Sequence, residues 1–217
     1  MKLPVQPFLV YITPSHADPR AVLETIDGAC RGGAAVVQLR RPNDEGGPLL
    51  ELAISARKIT RGYGAILSIN DRLDVALAAS ADGIQLRAAG IGTKDARALV
   101  GPECLLGRSV HSASEILDEE NRAVQLFQFG TVFPTPSKPG LATQGLAPLR
   151  AAAHAASDSG ARLVAVGGID ADNAAAVIAA GASAVAVIRA ISDASDPCLA
   201  ARTLCHAIAT AGSAGAT

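Results

Sequence analysis

One histidine directly follows an apolar run: Leu105-Leu106-Gly107-Arg108-Ser109-Val110 ends at His111, whereas His16, His154 and His206 fall in a loop or in helical stretches. An imidazole can take up or deliver a proton near neutral pH without a metal, so His111 is a candidate general acid/base. Helix capping or loop packing would equally place a histidine there, and metal ligation is a third reading. No second histidine or cysteine stands at a convincing metal-ligand spacing. Other polar residues end apolar runs in the same way: Gln38 and Arg40, Asn70 and Asp71, Gln85 and Arg87, Arg108 and Ser109, and Arg189.

Two further segments suit an anion. Gly167-Gly168-Ile169-Asp170 follows Val164-Ala165-Val166 and precedes a helical stretch; glycines let backbone approach a ligand, and a new helix offers unpaired N–H groups. Gly181-Ala182-Ser183 leads into another apolar run and then Arg189-Ala190-Ile191, so phosphate held between these two loops is expected. A tight strand-to-helix turn would also account for the glycine pair. Between Thr131 and Gly140, Thr135, Ser137 and Lys138 stand among three prolines that restrict the loop. Hydroxyl donors with an ammonium suit phosphate or diphosphate oxygens, and a solvated lid is the alternative.

The elements that must position these groups repeat. Short apolar runs at 8–13, 34–40, 65–69, 83–86, 105–110, 124–129, 163–166 and 184–188 alternate with helical patterns. The helical stretches are expected from Asp18-Pro19, over 48–60, from near Asp71, and at 93–100, 112–119, 146–157, 171–180 and 197–209. Continuous apolar runs are what parallel strands buried on both faces require. Eight strand-helix units predict an α/β fold, a single (β/α)8 TIM barrel, over a doubly wound open sheet. The barrel is expected over 1–210, with 211–217 a flexible tail. Strand-end residues of a barrel converge on one pocket.

Composition narrows the function classes. With 49% hydrophobic and 18% charged residues, the chain can bury a substantial core. Nineteen basic against twenty acidic residues leave no surplus charge for nucleic acid. No apolar run is long enough for a membrane span and no signal segment is evident, so a cytoplasmic location is expected. The cysteines at 30, 104, 198 and 205 read as small buried hydrophobes.

In order, the segments VVQLRR, INDRLD, ADGIQL, GRSVHS, FGTVFPTPSKPG, VAVGGI and AVAVIRAI resemble the thiamine-phosphate synthase/TenI superfamily from about Phe8 to Ile191. The synthase branch joins an aminomethyl-pyrimidine diphosphate to a thiazole phosphate, with Mg2+ assisting departure of diphosphate. The resemblance implies that Gln38 and Asn70 lie on the pyrimidine and diphosphate side and that Asp71 is one magnesium carboxylate. It implies pocket and diphosphate-loop roles for Ser109, Thr135, Ser137 and Lys138. Gly167, Gly168, Ala190 and Ile191 match the thiazole phosphate cradle, and Gln85 and Arg40 complete the expected substrate-binding set.

Three departures from the synthase pattern matter: Pro42 replaces a lysine, and in the DG-V-H-LGQ-x-D motif, here Asp82-Gly83-Ile84-Gln85-Leu86-Arg87-Ala88-Ala89-Gly90, Gln85 replaces the histidine and Gly90 the second magnesium carboxylate. Asp71 could instead cap the helix starting beside it. These departures resemble the TenI-like thiazole tautomerase branch, in which the histidine of GRSVHS, His111 here, is the proposed proton-transfer residue. The sequence therefore predicts an isomerase, needing no cofactor, that converts a carboxylated thiazole phosphate to its aromatic tautomer. The alternatives are a Mg2+-dependent synthase and a non-catalytic homologue that binds thiazole phosphate or thiamine phosphate. The Ala-rich outer helices permit a homodimer.

Overall fold

The structure, a computed structural model, describes residues 3–5, 7–136, 140 and 142–214, except the side chains of Ser213 and Ala214. Eight parallel strands close in sequence order into a barrel: β1 Phe8–Ile12, β2 Val36–Leu39, β3 Ile66–Asn70, β4 Gly83–Leu86, β5 Leu105–Val110, β6 Leu126–Phe129, β7 Arg162–Val166 and β8 Ala184–Val187. β1 pairs β8 through Phe8 opposite Ala184, which closes the ring. The helices are α1 Pro19–Arg31, α2 Gly46–Gly62, α3 Leu73–Ala78, α4 Thr93–Val100, α5 Ala113–Leu117, α6 Leu146–Asp158, α7 Ala174–Ala179, α8 Arg189–Ser192 and α9 Pro197–Ala214.

Local chemistry explains where helices begin. Asp18 caps α1 by accepting from the Arg20 and Ala21 N–H groups at 2.9 and 3.3 Å, and Pro19 occupies the first turn, where it costs no backbone bond. Ser112 caps α5, accepting from Glu115 N at 3.3 Å. Three predicted elements differ and one was not predicted. The stretch predicted over 112–119 is α5 followed by a 3₁₀ turn, Glu119–Ala123. The helix predicted from 171 starts at Ala174, because Asp170 first closes a turn by accepting from Asp172 N and Asn173 N. α8 was not expected, its four residues being too few for periodicity. α9 runs to Ala214, past the expected start of the tail at 211.

Strand alternation divides the core in two. Leu9, Tyr11, Leu39, Ile69, Ile84, Leu106, Phe127, Phe129 and Val185 face outward and pack under the helices. Phe8, Val10, Ile12, Val36, Ile66, Leu126, Val164, Ala184 and Ala186 fill the barrel interior. Above that apolar plug, towards the carboxyl ends of the strands, the inward positions turn polar: Gln38, Ser68, Gln85 and Gln128 are all buried. No helix among the described residues is long and apolar enough to cross a membrane.

Candidate active site

Buried amides must find partners, and here they find one another. Gln128 Nε2 on β6 donates to Gln38 Oε1 on β2, and Gln38 Nε2 donates to Asn70 Oδ1 on β3, both at 2.9 Å. Gln85 Nε2 on β4 donates to Ser109 Oγ on β5 at 3.3 Å. Register brings these groups near one another, since Asn70 pairs with Gln85 and Ser109 with Gln128, while Gln38 pairs with Ser68 and Gln85 with Gly107, each two residues before the bonded partner. Gly107 makes room, because a Cβ there would lie 2.2 Å from Gln85 Oε1. The run Gln128→Gln38→Asn70 ends on the Asn70 amide, which can donate to a ligand acceptor. Gln128 was absent from the sequence-predicted site; its signal was a lone amide within Leu126-Phe127-Gln128-Phe129.

Arg40 follows β2. Its backbone N–H donates to Thr13 Oγ1 at 2.9 Å and its guanidinium to Ser15 Oγ, which fixes it above β1 and β2. Pro42, in place of the expected lysine, is exposed and brings no charge.

A cavity of about 410 Å³ opens between the loops after β6, β7 and β8. Thr131, Thr135, Gly167, Gly168, Arg189 and Ala190 are among its lining residues. Ile191 is fully buried in the core and does not line it. In the single turn of α8, Ile191 N and Ser192 N donate to Ile188 O, while the preceding residues Arg189 and Ala190 border the cavity with their N–H groups outside those bonds, so this end can receive an anion. The Arg189 guanidinium at the same rim is held by Asp193 at 2.6 Å and holds that carboxyl below the usual carboxylate range. The glycine pair does more than free backbone for a ligand. Gly168 has φ +63°, and a Cβ on it would lie 2.4 Å from Pro134 O; one on Gly167 would lie 2.5 Å from Thr131 Cγ2. The loops after β6 and β7 therefore lie in contact, joined by bonds from Val132 N to Val166 O and from Phe133 N to Gly167 O, each 3.0 Å. Ser137 and Lys138, predicted diphosphate contacts, lie outside the described residues.

His111 is oriented by three bonds. Its Nδ1 donates to Gly130 O at 2.9 Å, its N–H donates to Glu115 Oε2 at 3.1 Å and its carbonyl accepts from Gln144 Nε2 at 3.2 Å. These bonds tie the end of β5 to the loop after β6, and His111 does not line the 410 Å³ cavity.

Asp71 neither caps α3 nor faces open space. It adopts φ +64°, its N–H donates to Gln85 O at 2.9 Å, and its carboxylate pairs with the Arg87 guanidinium across the ends of β3 and β4. A Cβ on Gly90 would lie 2.9 Å from Asp71 Oδ1, so position 90 adjoins Asp71 as the family motif requires of a carboxylate pair. A divalent cation needs oxygen donors. Here one donor is held by Arg87 and the other position has no side chain, so these residues do not fit the Mg2+ that the resemblance implies. Among the described residues no three His, Cys, Asp or Glu side chains gather to hold a metal.

The comparisons with known proteins decide the family. The family model described as thiamine monophosphate synthase matches residues 9–191. The chain belongs to that family. It is 38% identical over 206 residues to the thiamine-phosphate synthase of Moorella thermoacetica, covering 93% of this chain and 95% of the relative. It is 41% identical over 191 residues to that of Methanoculleus marisnigri, covering 86% and 88%. The solved thiamine phosphate pyrophosphorylase from Pyrococcus furiosus superposes with a TM-score of 0.82 at 32% identity, over 94% of this chain and 96% of that one. These matches overturn the predicted TenI-like tautomerase branch and its isomerase activity. That prediction weighed Pro42, Gln85 and Gly90 too heavily, since likeness to synthases extends over nearly the whole chain.

Proposed function

We propose that this chain is a thiamine-phosphate synthase, a transferase joining an aminomethyl-pyrimidine diphosphate to a thiazole phosphate with release of diphosphate. The observation that carries this reading is the division of one barrel face into two halves. A cradle of about 410 Å³ lies between the loops after β6, β7 and β8, and a row of amides, buried on β2 and β6 and half-buried on β3, lies across from it. A tautomerase has one substrate and needs one half; a condensing enzyme needs both. Likeness to named synthases over the full barrel supports the same reading.

In the proposed reaction the bond between the pyrimidine methylene carbon and the diphosphate oxygen breaks, its electron pair leaving with the oxygen. The thiazole nitrogen forms a bond to that carbon with its lone pair and becomes the thiazolium nitrogen. No proton is transferred in this step, so no general base is required. Asn70 and Gln38 hold the pyrimidine and the diphosphate, while Gln85 and Ser109 border the pocket on β4 and β5. Thr135, Ser137, Lys138 and Arg40 supply donors and positive charge to the diphosphate. Gly167, Gly168 and Ala190 cradle the thiazole phosphate, with Ile191 fixing α8 from below. His111 holds the loop after β6 in place for both halves. Alignment of the two reactants supplies most of the acceleration expected of such a site.

The test is formation of thiamine phosphate from the two substrates by purified protein, followed as its fluorescent oxidation product. Turnover that falls at least about tenfold in Asn70→Ala is expected. Intact substrates, or diphosphate release without thiamine phosphate, would refute the reading.

A further inference from the structure

The ends of β3 and β4 hold a charge arrangement that the family motif does not have. Where the motif places glycine and aspartate, this chain has Arg87 and Gly90. Both changes fall on the same few ångströms. Arg87 Nε reaches Asp71 Oδ2, while the vacant Cβ position of Gly90 lies 2.9 Å from Asp71 Oδ1. The loop carrying both residues is braced from β5, where the Arg108 guanidinium donates to Ala88 O at 2.8 Å and to Ile91 O at 2.9 Å. Charge balances without an ion: two carboxylates need a divalent cation to reach zero, whereas Asp71 and Arg87 sum to zero alone. Arg87 is anchored through one edge only. Its side chain is 68% exposed, and its Nη groups make no hydrogen bond to the described residues. Asp71 neighbours Asn70, the terminus of the amide row, so the guanidinium stands on the diphosphate side of the proposed site.

We propose that Arg87, positioned by Asp71, is a built-in cation for the leaving diphosphate, so that diphosphate binds here without a divalent metal. The nature of the anion rests on the synthase reading; the metal independence rests on the side chains themselves. A guanidinium offers paired N–H donors to phosphate oxygens and keeps its charge at any working pH.

Calorimetric titration of inorganic diphosphate into the full chain, in EDTA and in Mg2+, tests this directly. Saturable binding in EDTA is expected, weakened about tenfold or more in Arg87→Gln and partly retained in Arg87→Lys. Mn2+ titration followed by electron paramagnetic resonance should show no site that Asp71→Asn removes. Arg87→Gly combined with Gly90→Asp should gain one such site, and Arg87→Gly alone controls for crowding at position 90. The proposal is overturned if diphosphate binds only with Mg2+, if Arg87→Gln binds it unchanged, or if the unaltered protein holds Mn2+ through Asp71. Arg87-dependent binding in EDTA without thiamine phosphate formation would sustain this inference and count against the synthase reading alone.

Discussion

His111 illustrates how a residue's type and its role separate. Its Nδ1 proton is used on Gly130 O, and the proposed condensation transfers no proton. His111→Asn should therefore lower turnover only a few-fold, against the roughly 10²–10⁴-fold loss expected of a true acid/base. A steady-state comparison across pH 6–9, showing no change in profile shape, is the check. Gln128 is the opposite case, a residue whose importance lies in being buried. Gln128→Leu keeps the volume but strands Gln38 Oε1, and should cost about 1–3 kcal/mol in urea unfolding. Cys30 yields a pH prediction. Burial pushes its thiol from 9.0 up to about 12, with the nearby Asp27 carboxylate adding to the shift. The unfolded chain thus loses this proton first, and the thiol's contribution to stability is complete below pH 9 and lost as pH rises towards 12. Between pH 8 and 10 this amounts to about 1 kcal/mol, measurable as a steeper alkaline decline than in Cys30→Ala.

At the scale of elements, strands carry the amide row and loops carry the phosphate cradle, and the loops after β6 and β7 are coupled as a pair. Gly168→Ala would combine strain at φ +63° with overlap on Pro134 O, displacing the loop after β6 together with that after β7. The expected result is a KM for thiazole phosphate raised about tenfold or more, with a smaller effect on the pyrimidine substrate. Away from the site, Arg97 of α4 donates to Gly101 O, Cys104 O, Ala123 O and Gln125 Oε1 at 2.6–3.1 Å. It fastens the segments on either side of β5, so Arg97→Ala should cost roughly 2–4 kcal/mol in denaturant unfolding while leaving substrate KM values unchanged.

For the whole molecule, the barrel is a closed ring in which the lower interior is an apolar plug and the upper interior a polar floor. A ligand that binds the upper face of the folded ring and not the unfolded chain should stabilise the entire ring. Thiazole phosphate at a hundred times its Kd would add about 2.7 kcal/mol, or about 5–10 °C in Tm for a chain of this size, readable by differential scanning fluorimetry.

The sequence by itself determined the periodic framework. Eight apolar runs, each long enough for one strand and ended by a polar residue or a glycine, leave little choice but a closed parallel barrel with chemistry on its carboxyl face. The glycine pair and Arg189-Ala190 were legible because they follow the seventh and eighth runs directly. Tertiary structure alone decided which polar ends meet. Gln128 and Gln38 lie 90 residues apart, and Asp71 and Arg87 belong to different units, so each contact exists only once closure and register bring the strands together. The same closure placed Gly90 against Asp71 and so turned two separate departures from a motif into one exchange of charge. Local patterns specify which face a side chain takes; its partner across the barrel is a non-local property of the ring.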